Sequence, residues 1–124
     1  MTTIHIPFKL PSLNEYTAAC RGNRFVGAKM KKDIEVSLYP FLLRKPHFEN
    51  PVKVSFEWHE ANKRRDLDNV AFAKKFILDA MVACGILTND SPKYVVALED
   101  TFVHATEYGV RITIEERTQD NDTT

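Results

Sequence analysis

No apolar run in this chain approaches the roughly 20 residues needed to span a bilayer, which excludes a membrane helix on sequence grounds. The opening Met1-Thr-Thr-Ile-His lacks the basic and then apolar pattern of a secretory signal. Cysteine is scarce too. Cys20 and Cys84 stand 64 positions apart with no CxxC spacing, so neither a zinc site nor a disulfide framework is indicated. Cys84 falls on the apolar stripe of an expected helix, where a buried thiol suffices as explanation. These absences lead us to expect a reducing, cytoplasmic setting. The four histidines, His5, His47, His59 and His104, show no metal-ligand spacing, and no repeat or internal linker breaks the chain. Net charge is also lacking, at zero overall, which at first argues against a nucleic-acid partner.

The distribution of that charge reverses the argument. Residues 1–45 carry eight Lys and Arg against three acids, a net of +5, while residues 46–124 carry nine against fourteen, a net of −5. A basic segment facing an acidic one suits an enzyme that holds a polyphosphate beside a cation. Charges sorted by chance over a solvated surface would look the same, so charge alone does not decide. At 124 residues and 44% apolar content, the chain has material for one hydrophobic core and no more.

Ile4, Ile6, Phe8 and Leu10 alternate with polar residues and predict a strand ended by Pro11. A polar, arginine-bearing stretch follows, and positions 30, 34, 38, 41 and 42 then predict a helix over 28–44, with Pro40 kinking or ending it. Residues 45–51 read as a loop. Val52, Val54, Phe56 and Trp58 predict a second strand, and Trp58 reads as core or dimer interface. The strongest helix spans 67–84 and is closed by Gly85. After a Thr88-Asn-Asp-Ser-Pro92 turn, residues 94–103 and 108–115 read as a hairpin. The order β-α-β-α-β-β predicts a single small α+β domain over 1–117 with two main helices on a mixed or antiparallel sheet, and a disordered tail over 118–124.

The chemistry-bearing stretch is Lys63-Arg-Arg-Asp-Leu-Asp-Asn69, directly after the second strand. On a wheel with Asp68 at zero, Val70, Ala73, Ile77, Ala80, Met81 and Cys84 fall between about 120° and 220°, whereas Phe72, Lys75 and Asp79 fall within about 40° of Asp68. The helix should therefore bury one side and present two carboxylates and a lysine on the other. Magnesium takes hard oxygen ligands, usually one or two carboxylates with waters and phosphate oxygens. Asp66 and Asp68 at the mouth of a helix could share such an ion, and Asp90 could supply a third carboxylate if the later turn folds back. Aspartates there also cap helices and complement their dipoles, and spacing alone leaves both readings open. Lys75 could equally pair with Asp79 one turn on, and Asp90 sits in an ordinary turn composition.

Arg65-Asp-Leu-Asp-Asn69, Lys75 with Ile77-Leu-Asp-Ala80, then Gly85 and Asn89-Asp90 resemble the signature of the RusA family of Holliday-junction resolvases. The opening Pro11-Ser-Leu-Asn-Glu-Tyr16 is similar to the Asn-and-Tyr motif near that family's N-terminus. The signature spans residues 64–90, with weaker similarity over 11–32. It implies a homodimeric, magnesium-dependent endonuclease that nicks paired strands of four-way DNA junctions, often of phage origin and working in the bacterial host cytoplasm. By position, Asp66, Asp68 and Asp90 would bind the metal and Lys75 would be the catalytic lysine. The family's lysine lies one turn after the second aspartate, where this chain has Phe72. Three extra residues precede the Ile-Leu-Asp-Ala stretch, so anchoring there selects Lys75, and Lys74, near 240° on the wheel, is the weaker candidate. Arg21, Arg24, Lys29, Lys31, Lys32, Arg64 and Arg65 would contact phosphates, and Asn14 and Tyr16 could touch DNA. Two other functions remain: a non-catalytic branched-DNA-binding accessory protein, and a metal-dependent nuclease for flaps or single strands.

Overall fold

Alternation with period two sets the sheet. Apolar residues alternate along β1 (Thr2–Ile6), β2 (Val52–Glu60) and β4 (Gly109–Glu116), and they are buried: Ile4 and Ile6; Val52, Val54, Phe56 and Trp58; Val110, Ile112 and Ile114. A computed structural model of the chain describes residues 1–117. It joins those strands with β3 (Val95–His104) in one four-stranded sheet of order β1-β4-β2-β3. β4 runs antiparallel to both β1 and β2, whereas β3 runs parallel to β2. The α+β expectation holds, and the sheet is mixed. The expected tail, residues 118–124, lies outside the described residues.

The expected hairpin of the last two strands does not form. β2 lies between β3 and β4, because β2 has buried side chains to share with β4, whereas not one residue of β3 is fully buried. Phe56 on β2 pairs with Ile112 on β4, and the two strands stay in register from Val52↔Glu116 to His59↔Gly109.

Helices cover one face of this sheet. Instead of two main helices there are four helical segments. α1 (Leu13–Gly22), which the sequence reading missed, starts at Ser12, whose hydroxyl accepts from the Glu15 N–H at 3.3 Å and donates to the Glu15 carboxylate at 3.3 Å. α2 (Arg24–Leu42) begins four residues before the expected start, capped by Asn23, whose side-chain oxygen accepts from the Phe25 N–H at 2.7 Å. It carries Pro40 in its last turn and ends two residues later. The expected 67–84 helix divides into α3 (Leu67–Ala71) and α4 (Lys74–Ala83), with Phe72 and Ala73 forming a turn between them. α4 closes as expected at Gly85, at φ 79°. The Ile86 N–H reaches the Met81 carbonyl at 2.9 Å and the Gly85 N–H reaches that of Val82 at 3.1 Å, which satisfies the last carbonyls of the helix. Among the described residues no helix is long and apolar enough to cross a membrane.

Leu38 and Leu42 from α2 and Phe76, Ile77, Ala80 and Met81 from α4 fill the space over β1, β4 and β2. Trp58 belongs to this core, stacked on Phe56 with ring centroids 5.5 Å apart. At the start of β4 the backbone approaches β1 so closely that a Cβ on Gly109 would meet the Ile6 carbonyl oxygen at 2.8 Å. Gly109→Ala is expected to lower stability by about 1–3 kcal/mol through this overpacking, measured as a lower urea midpoint at unchanged m-value.

Candidate active site

After β2 the chain leaves the sheet and enters α3, and Arg65 fixes the path. Its Nε–H donates to Glu60 Oε1 at 2.9 Å and its Nη2–H to Glu60 Oε2 at 2.7 Å, a bidentate pair in which each side chain is 13% exposed. The Nη1–H donates to the Leu10 carbonyl at 2.8 Å, and Glu15 on α1 approaches to 3.8 Å. Burial works against the charged guanidinium. Hydrogen bonding to Glu60, with the charges of Glu60, Glu15 and Tyr108, outweighs it, and the pKa of Arg65 rises above its ordinary value. Arg65 is therefore a clamp joining the segment after β1 and the end of β2 to the start of α1, and the guanidinium expected from the sequence to contact phosphates is engaged within the chain.

Downstream of the clamp, Asp66 occupies the N-cap position of α3 with extended backbone (φ −69°, ψ 147°), yet its side chain makes no capping hydrogen bond. Asp68, in the first turn of α3, is exposed like Asp66. Among the described residues neither carboxylate has a hydrogen-bond or ion-pair partner, so capping does not account for either of them. Arg64 is exposed beside them, its backbone N–H donating to the Asn62 side chain at 2.9 Å.

Asp68 lines a surface cavity with Leu13, Leu67, Phe72, Lys74, Asp100 and Phe102. Asp100, which the sequence reading did not single out, accepts from Lys74 at 2.5 Å through Oδ2 and from the Trp58 indole N–H at 2.9 Å through Oδ1. Its signal was available: in a strand that is otherwise largely apolar, a lone aspartate alternating with Leu98 and Phe102 on one face needs a partner from the covering layer. Lys75 points elsewhere, 59% exposed and 3.3 Å from Asp79, which also lies 3.5 Å from Lys31. The wheel that placed Lys75 near Asp68 assumed one continuous helix, and the Phe72–Ala73 turn changes the phase between them. Lys74 is the ammonium that shares the cavity with Asp68.

Asp90 is exposed in the turn before β3, at the other end of the sheet. Tyr94 in that turn accepts the Val52 N–H at 2.8 Å, which places it at the start of β2, whereas Leu67 shares a cavity with Phe102, Val103 and His104 at the far end of β3. Nine residue steps of extended chain, about 30 Å, separate the ends of β3. Asp66 and Asp68 stand two residues apart at the start of α3, with Asp68 lining the cavity, whereas Asp90 stands at the other end of the sheet, and among the described residues no three His, Cys, Asp or Glu gather as a metal group within one chain.

Of the basic residues, Arg21, Arg24, Lys29 and Lys32 are exposed on α1 and α2, with Lys29 tied to Asp33 at 2.6 Å and Arg24 resting over Phe25. Asn14 is exposed on α1. Tyr16 is half-buried, its ring 5.4 Å from Phe76 and 5.8 Å from Phe72, and it lines a second cavity with Lys31, Lys74 and Lys75. The chain matches no protein-family model and no curated protein.

Removing the clamp gives a direct test of its role. Arg65→Met is expected to destabilise the fold by about 3 kcal/mol, because Glu60 is left nearly buried and unpaired, while the double variant with Glu60→Leu recovers most of the loss. Chemical denaturation of the four proteins of this cycle measures both effects.

Proposed function

We propose that the chain is a magnesium-dependent, structure-selective endodeoxyribonuclease of the RusA type, cutting branched DNA as a homodimer in the cytoplasm of a bacterial host. The observation that carries this reading is the pair Asp66 and Asp68: two exposed carboxylates, engaged by nothing in the described chain, on backbone held in place by a bidentate clamp. Unpartnered neighbouring carboxylates repel one another, whereas a hydrated magnesium ion commonly takes one or two such ligands. The donor set fits that ion, and Asp66 and Asp68 would hold it. When bound there, magnesium would lower the pKa of a coordinated water and offset charge on the scissile phosphodiester.

The rest of the chemistry falls to the chain's own groups. Arg21, Arg24, Lys29 and Lys32 on α1 and α2, and Arg64 beside α3, present cations to backbone phosphates without reading sequence. Lys74, in the cavity of Asp68, supplies positive charge where the departing oxygen becomes anionic. Asp100, itself held by the Trp58 indole N–H, orients that lysine at the cavity wall. The absence of a capping bond at Asp66 weighs against the accessory-protein reading, which would leave both aspartates without a role.

A synthetic four-way junction, incubated with and without magnesium beside a linear duplex of equal sequence, tests the proposal. Cleavage of the junction alone, and only with magnesium, is the expected result. Asp68→Asn should retain junction binding by gel shift and lose cleavage by on the order of a thousandfold, and undiminished cutting would overturn the site. Lys74→Ala should reduce the cleavage rate about a hundredfold with little change in binding, and Lys75→Ala by much less. The reverse order would return the role to Lys75.

A further inference from the structure

Helices cover one face of the sheet, and the opposite face carries the residues that alternate with the core. His5 stands on that open face, between the buried Ile4 and Ile6 of β1, and so does His59, next to the buried Trp58 of β2. Far apart in sequence, the two meet in space. Their ring centroids lie 6.0 Å apart, and both rings line one surface cavity with Pro7, Thr106, Glu107 and Tyr108.

β4 runs between β1 and β2, so side chains on the outer two strands are ordinarily held about 10 Å apart by a third. At this level the middle strand carries Gly109, which pairs with His59. A Cβ on Gly109 would stand 3.4 Å from Cε1 of His5. The His5 ring therefore leans over the glycine, and the two imidazoles approach across a strand with no side chain to separate them.

His59 is also held as a ligand would be. Its Nε2 lies 2.7 Å from Glu57 Oε1. An ionised carboxylate only accepts, so the ring carries a proton on Nε2 and, when neutral, leaves the lone pair on Nδ1. Arg111 approaches the other oxygen of Glu57 at 3.7 Å and holds the carboxylate in turn. A carboxylate behind an imidazole supports metal-bound histidines generally: it sets the tautomer, orients the ring and raises its basicity.

Imidazoles suit zinc, copper and nickel, whereas magnesium prefers oxygen. Two rings bound to one zinc ion through nitrogens about 2.1 Å away have centres roughly 5–6 Å apart, close to the separation seen. We infer that His5 and His59 form a binding site for a divalent cation of the zinc class, with Glu57 as the positioning residue. Waters complete the coordination, since among the described residues no third His, Cys, Asp or Glu joins the pair. The site lies across the sheet from the cavity of Asp68 and rests on nothing in the nuclease reading.

Calorimetric titration of the metal-free protein with zinc chloride, slightly above neutral pH, tests the site in a Cys20→Ser background that removes the exposed thiol. One zinc ion per chain is expected, and an excess of magnesium should not displace it. His5→Ala and His59→Ala should each weaken binding by more than about tenfold and Glu57→Gln by about tenfold, whereas His104→Ala should leave it unchanged. Unchanged binding in either His5→Ala or His59→Ala overturns the proposal, and unchanged binding in Glu57→Gln overturns the role of that carboxylate. Zinc held instead by the carboxylate pair would be lost in Asp68→Asn, and that outcome overturns the proposal as well. The imidazole nitrogen resonances in the same background need no histidine substitution: zinc should shift Nδ1 of His59 together with a nitrogen of His5. Shifts at His47 or His104 alone, or no saturable binding, overturn the site.

Discussion

Because β3 lies parallel to β2, the 34 residues between them must carry the chain from the C-terminal end of β2 back to its N-terminal end. An antiparallel partner would need only a tight turn, whereas this connection needs helices long enough to cross the sheet. α3 and α4 make that crossing, and burying Phe76, Ile77, Ala80 and Met81 against β2 and β4 holds them to it. The placement of Asp66, Asp68 and Asp90 follows. Whatever opens the crossover sits at one rim of the sheet, with Asp66 and Asp68, and whatever closes it sits at the opposite rim, with Asp90. A chain with this topology does not bring both to one place by itself.

The Arg65–Glu60 pair gives the opening of the crossover a fixed geometry. Arg65 ties three otherwise separate segments, around Leu10, Glu15 and Glu60, and the next residue is Asp66. A loop held so near a bidentate ion pair has little conformational freedom left to lose. Its own charge is spent internally, whereas the neighbouring Arg64 is exposed.

Much of this was legible in the sequence where a single periodicity governs. The three strands that share the core were visible as alternation, and the end of α4 as Gly85. The start of α1 was also written, as Ser12 with Glu15 three residues on, but α1 buries no residue fully, and a helix without a buried stripe leaves no apolar period to read. The hairpin expectation failed for a different reason. Neighbours in sequence usually neighbour in space, yet β2 offers β4 a row of buried partners that β3 lacks, and packing outweighs proximity along the chain. The two aspartates were legible as a motif. Asp100 was legible only as a lone aspartate on an apolar face and Lys74 only as the weaker lysine, since the partner of one lies in another layer and the placing of the other depends on a turn that no wheel contains.

That turn at Phe72 and Ala73 also behaves as an expansion joint. α4 must keep its angular phase to seat Ile77 and Met81 in the core, and α3 must keep its own to present Asp68, but the two phases are independent across the break. Residues gained or lost there alter neither the seating of one helix nor the display of the other. The segment that carries Asp66 and Asp68 is thereby free to vary in length, while the wall behind it stays as it is.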